Sequence, residues 1–268
     1  MIGKGREMAW RLAWCMVLAL GVAPAVGAAA SADRPLSLPE AVARVRLGVG
    51  AVGSYNPASR PPVVFSASGF FVDESGHFLT ANHAIAAITK RHRLEDLRVF
   101  LPSDQDRQGH RARVVAREPR FDLAVLKVEG GDYVPLELGD SARVREGQSV
   151  GICGFPFGFL LGLHPSTSAG IISSVCPVAV PAINARLLDP EVIAALREPY
   201  DIFQLDVTAY PGHSGAPLFD AATAKVIGVV SSAHIRKTKE KVISSGFTYA
   251  IPIAVARKLL ERVRRERK

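Results

Sequence analysis

Apolar residues along this chain come in short runs broken by glycine and proline, with few long stretches at helical spacing. Runs of this kind, bounded by turn formers, read as strands, so the pattern predicts an all-β protein. Two of the runs carry polar residues of interest at their ends. Phe78-Leu79 leads through small and polar residues to His83, after which an apolar, helix-like stretch begins. Asp122 stands at the mouth of the continuous apolar run LAVLKV, which has strand character. Beyond the stretch after His83, helical patterns occur in three places. LSLPEAVARVRLGVGAVGSY reads as a short helix entering a first strand. PEVIAALREPY reads as a helix after Asp189 as N-cap, with Pro190 at its first position. The tail IAVARKLLERVRRERK, about 254–268 with its entry, reads as an amphipathic helix with a basic end.

Composition narrows the class. With 268 residues, 48% of them apolar, the chain can bury a substantial core. The net charge is +8, yet no recognition motif for nucleic acid is present, and none is expected as a partner. The basic tail reads first as a solvated face, with contact to an acidic partner or a membrane surface as the alternative. The histidines (77, 83, 92, 110, 164, 213 and 234) show no ligand spacing, so neither a metal nor another cofactor is expected.

The first residues look like an address. Lys4, Arg6 and Arg11 precede or open the apolar stretch Leu12–Val26, and Ala28-Ala29-Ala30 offers small residues for cleavage. Interrupted by Pro24, this stretch is short for a membrane span, so residues 1–30 are expected to be a signal peptide and the protein exported, periplasmic or secreted. Trp14 is too large for a lipoprotein processing site at Cys15. Removal of Lys4, Arg6, Arg11 and Glu7 would take two units off the net charge. Cys153 and Cys176 then remain, either as a disulfide in an oxidising compartment or as free core thiols.

The strongest chemical signal is YPGHSGAPLFD, residues 210–220. It sets Ser214 in a turn between glycines, where the backbone can approach a substrate carbonyl with the Gly212 and Ser214 amides aimed at the developing oxyanion. A serine hydroxyl needs a histidine to take its proton and a carboxylate to orient that histidine. All three types occur in the order His83, Asp122, Ser214. An α/β-hydrolase would place Asp and then His after the serine and glycine at the fifth motif position. Here that position is Ala216, and the only later histidine, His234, follows too closely.

With these motifs together, the chain resembles the trypsin-like serine proteases of the HtrA/Deg type. SASGFFVDESGHFLTANHAI, RARVVAREPRFDLAVLKV, LELGDSARVREGQSVGICGFPFG, SAGIISSV, DVTAYPGHSGAPLFD and FTYAIPI follow in that family's order from about Ser66 to Ile253. The resemblance implies one protease domain over 31–268 made of two packed β-barrels, about 47–134 and 138–253, with His83 and Asp122 from the first and Ser214 from the second. It implies His83 as general base, Asp122 as its orienting partner and Ser214 as nucleophile. The oxyanion hole would comprise Gly212 and Ser214, with the His213 amide between them. Six residues before the nucleophile, Thr208 would form the base of the primary specificity pocket. Being uncharged, it would favour small or medium apolar side chains over Arg or Lys.

The chain departs from the family where Asn commonly precedes the serine and a second Gly follows it; these positions are His213 and Ala216. His213 is expected to face solvent or a loop, since only its backbone has a task. Many members carry PDZ domains after the protease, and none is expected before this chain ends. No Ile-Val-Gly-Gly start is present, so ordering of loops around Gly154–Ser168 is the expected switch rather than N-terminal insertion. The function expected is an exported serine endopeptidase acting on polypeptides in quality control or processing. The competing reading is a silent or latent module of the same fold that binds unfolded or partner chains. A homo-oligomer stays open, because many relatives are trimers.

Overall fold

The computed structural model describes residues 34–89, 93–104, 108–156, 162–177, 200–232 and 248–265. Residues 1–30, expected as a signal peptide, and residues 190–199 of the PEVIAALREPY segment lie outside the described residues. Among the described residues, twelve strands close into two six-stranded antiparallel barrels. The first contains β1 (Val49–Tyr55), β2 (Val63–Phe71), β3 (His77–Ala81), β4 (Leu97–Phe100), β5 (His110–Glu118) and β6 (Leu123–Val128), closed in the order β1-β2-β3-β6-β5-β4. The second contains β7 (Ser149–Gly154), β8 (Ser166–Pro177), β9 (Asp201–Asp206), β10 (Pro217–Asp220), β11 (Val226–Ser232) and β12 (Thr248–Pro252), closed in the order β10-β11-β12-β9-β8-β7. The all-β, two-barrel expectation is met.

Continuous apolar runs, rather than strict alternation, have a direct cause in this arrangement. Successive strand side chains point to opposite faces. Phe71, Phe78 and Leu126 fill the interior of the first barrel, together with Val52, Leu97 and Val99. Their neighbours Phe70, Leu79 and Val125 point the other way, into a second core at the junction of the barrels. The second barrel behaves likewise: Ile152, Leu218 and Val230 lie inside it, while Cys153, Phe219 and Val229 join the junction core. Each large side chain so buried contributes about 1.5–3 kcal/mol.

Three α-helices complete the fold among the described residues. Helix α1 (Leu38–Val45) begins where the sequence predicts one, and the Ser37 N–H and hydroxyl both donate to Glu40 Oε2 at 2.7 Å. Helix α2 (Asn82–Thr89) follows β3 directly and buries Ala84, Ile85 and Ile88. Helix α3 (Ile253–Arg265) follows β12 and lays Ala256, Leu259, Leu260 and Val263 into the junction core. Its Arg262 donates to Glu118 Oε2 on the first barrel at 2.6 Å, and Arg257 donates to the carbonyls of Leu138 and Gly139 at 2.6 and 2.9 Å. The basic tail is therefore partly engaged by the protein itself.

Cys153 and Cys176 are free thiols. Cys153 faces Thr167 near the start of β8, whereas Cys176 lies near the end of β8 opposite Ile202, so the disulfide alternative is not realised. Burial pushes the Cys153 thiol pKa up.

Candidate active site

The acid and base come from two adjacent strand ends of the first barrel, the end of β3 and the start of β6. The residue Asp122 follows a single 3-10 turn, Pro119–Phe121, and adopts a left-handed conformation (φ 52°, ψ 39°). Its N–H donates to Pro119 O at 3.1 Å, and its own carbonyl accepts from Asn82 N–H at 2.9 Å. The second bond ties the aspartate turn to the start of α2, one residue before His83. The side chains then meet: Asp122 Oδ1 accepts from the His83 N–H at 2.8 Å, and Oδ2 from His83 Nδ1 at 2.6 Å. An ionised carboxylate only accepts, so the ring proton resides on Nδ1 and Nε2 is left with its lone pair. That is the tautomer a proton acceptor needs.

A third group from the second barrel joins them. Ser231 Oγ, on β11, donates to Asp122 Oδ2 at 3.0 Å, and Tyr249 Oη on β12 lies 3.2 Å from the same hydroxyl. Ser231 has one proton to give, and the carboxylate takes it, which leaves the Tyr249 phenol as donor to Ser231. Tyr249 is pushed up in pKa, chiefly by burial, and so stays a donor. Sequence reading missed both residues. The Ser-Ser pair after VIGVV looks like an ordinary strand end, and no local spacing connects it to a residue on the other barrel.

Ser214 lies in the turn between β9 and β10, 3% exposed. Gly212 and Gly215 have φ of 104° and 83°, which only glycine adopts readily. The packing demands the second one as well. A Cβ on Gly215 would stand 2.3 Å from the Ser68 carbonyl oxygen and 2.7 Å from the Ala81 nitrogen. The nucleophile turn thus abuts the end of β3, two residues before His83. Ala216 is fully buried and is not among the positive-φ residues, so its methyl is accommodated.

His213 is not where the sequence placed it. It is fully buried rather than facing solvent or a loop. Its Nδ1 accepts from the Tyr210 N–H at 3.0 Å, while Nε2 is buried with no partner among the described residues. The ring caps the turn from inside, and burial pushes its pKa down to about 4. Its own N–H donates to Tyr210 O at 3.0 Å. Of the three amides expected at the oxyanion hole, those of Gly212 and Ser214 have no backbone partner among the described residues. Thr208, expected as a pocket base, is exposed.

Two six-stranded antiparallel barrels, with a His–Asp pair on one and a glycine-flanked serine turn on the other, define the chymotrypsin-like architecture. The chain belongs to the family of the trypsin-like peptidase domain, whose pattern matches residues 67–229. It is 34% identical over 192 residues to a probable periplasmic serine endoprotease DegP-like of Pseudomonas fluorescens, spanning 70% of this chain and 33% of that protein. A protein of the same description from Marinomonas is 32% identical over 205 residues, spanning 75% of this chain and 36% of the relative. The chain therefore spans about a third of the length of these relatives. Among solved structures, the HtrA-type protease AlgW with a tripeptide superposes with a TM-score of 0.60 at 26% identity, covering 85% of this chain and 64% of the other. The HtrA/Deg resemblance read from the motifs is borne out.

Proposed function

We propose that this chain is a serine endopeptidase working through His83, Asp122 and Ser214. The observation that carries the reading is the double bond of Asp122 to His83, through the backbone N–H and Nδ1, at 2.8 and 2.6 Å. It supports a histidine held with Nδ1 toward the carboxylate, the orientation that makes Nε2 the proton acceptor.

In this reading, Ser214 Oγ attacks the substrate carbonyl carbon as its proton passes to His83 Nε2. The carbonyl oxygen becomes negative and is met by the Gly212 and Ser214 amides. Collapse of the adduct breaks the C–N bond, and the proton on Nε2 goes to the leaving amine. Water then enters, gives its proton to Nε2, and releases the acyl group from Ser214 by the same sequence. The imidazolium formed twice in the cycle lies beside the Asp122 carboxylate, itself held by Ser231. The substrate is a polypeptide, as the tripeptide in the AlgW structure suggests for this family. The preference for small or medium apolar residues before the cleaved bond rests on the family resemblance, since Thr208 is exposed; a peptide library cut chiefly after Arg or Lys would exclude that preference.

The relatives' descriptions as periplasmic and the pattern of residues 1–30 support export. N-terminal sequencing of the protein recovered from a periplasmic fraction checks this. The activity is tested by fluorophosphonate labelling and cleavage of unfolded casein by the wild type and by His83→Ala and Ser214→Ala. Both variants should lose about 10⁴-fold or more in rate. A folded wild type that neither labels nor cleaves would favour the silent, chain-binding alternative.

A further inference from the structure

Ser68 belongs to β2 of the first barrel, yet its bonds run to the second. It is fully buried. Its N–H donates to the Ser214 carbonyl at 2.9 Å, and its hydroxyl donates to the Gly212 carbonyl at 2.6 Å. The same hydroxyl accepts from the Phe155 N–H at 2.8 Å, just past β7. Its carbonyl accepts from Thr80 Oγ1 on β3 at 2.7 Å. Every polar group of this residue is thereby used, and three of the four bonds cross between barrels.

We propose that Ser68 is a positioning residue that holds the nucleophile turn, and with it the oxyanion hole, in working shape. This rests on the serine peptidase reading above. Internal bonds from His213 to Tyr210 and from Ala216 to His213 bridge the turn, but Gly212 and Gly215, at φ of 104° and 83°, are its two freest residues and gain order from outside contacts. The peptide between Gly212 and His213 is gripped at both ends: its oxygen by Ser68 Oγ and its N–H by the Tyr210 carbonyl at 3.0 Å. The peptide after Ser214 is gripped through its oxygen by the Ser68 N–H. The peptide between these two, which carries the Ser214 amide, is held at its oxygen by the Ala216 N–H at 2.9 Å, a bond within the turn, and by its fixed neighbours on either side. The space confirms the fit, since a Cβ on Gly154 would come within 2.5 Å of Ser68 Oγ. A hydroxyl meets both needs at once, donating one bond and accepting another.

The test compares wild type with Ser68→Ala by hydrogen exchange and by kinetics. Exchange in a peptide spanning the Tyr210–Ala216 turn should speed up about tenfold or more, with a peptide over β11 unchanged. On a peptide anilide, kcat should fall about 10- to 100-fold with KM within about threefold, as for a weakened oxyanion donor. Fluorophosphonate labelling should slow by a similar factor. Unchanged exchange in the turn overturns the proposal, as does kcat within about twofold of wild type in an active enzyme. Faster exchange in the variant of an inert wild type would uphold the clamp and sink the peptidase reading instead. Should Ser68→Ala not fold, Ser68→Cys, of similar shape but a weak donor, carries the same comparison.

Discussion

Two buried side chains near the candidate site have consequences that can be measured. His213 is fully buried, and burial pushes its pKa down to about 4 from the usual 6.5. Above pH 6.5 the ring is neutral in both folded and unfolded chains, and it contributes no pH dependence. As pH falls below 6.5, the unfolded chain takes up a proton that the folded chain refuses until about pH 4. Stability is therefore lost across that window, at up to about 1.4 kcal/mol per pH unit. His213→Asn should flatten this loss, which is read as the difference between wild type and variant in urea unfolding from pH 4 to pH 8. An equal slope in both proteins would contradict a buried neutral ring. The second case is the chain from Tyr249 to Ser231 to Asp122. A net hydrogen bond is worth about 0.5–1.5 kcal/mol, or about two- to tenfold in rate if it acts on the transition state. Ser231→Ala should lower kcat/KM toward the upper end of that range and Tyr249→Phe toward the lower end, since only the former touches the carboxylate. A larger loss in Tyr249→Phe than in Ser231→Ala would break this ordering.

Element by element, the readable features are those with a local cause. The start of α1 follows from Ser37 and Glu40, and the amphipathic tail becomes α3 because its apolar stripe at Ala256, Leu259, Leu260 and Val263 fits one face. The order of histidine, aspartate and serine beside strand ends was legible, and His83 and Asp122 do meet. What escaped the sequence depends on contacts between residues far apart in the chain. Ser68, Ser231 and Tyr249 sit in plain strand patterns, and only barrel-to-barrel packing gives them their partners. His213 was misread because a polar residue in a turn defaults to solvent, whereas the tight glycine turn folds it inward. Helix α3 lets packing and charge be weighed separately. Leu259, 2% exposed within the junction core, should cost about 2–5 kcal/mol when cut to Ala. The Arg262 to Glu118 bond is more open, and Arg262→Gln should cost no more than about 1 kcal/mol. Urea midpoints of the two variants check the ranking.

On the scale of the whole molecule, the two barrels are joined by a core that belongs to neither alone. Phe70, Leu79 and Val125 of the first barrel share a cluster with Phe219, Val229 and Ile251 of the second and Leu259 of α3. Polar bonds follow the same seam, from Ser68 to the Gly212 and Ser214 carbonyls and from Ser231 to Asp122. Because strands such as β2 and β6 are apolar on both faces, opening the seam would leave large side chains such as Phe70 and Leu79 in water. At about 1.5–3 kcal/mol each, a handful of such residues is comparable to the ordinary stability of a domain, about 5–15 kcal/mol. The barrels should therefore unfold together. In urea, far-ultraviolet dichroism and tryptophan-free probes of each barrel, such as hydrogen exchange in β3 and in β11, should report one coincident transition. Leu259→Ala should move both probes by the same amount. If β11 loses protection at lower urea than β3, or the variant shifts one probe alone, the barrels are independent folding units and the shared core does not couple them.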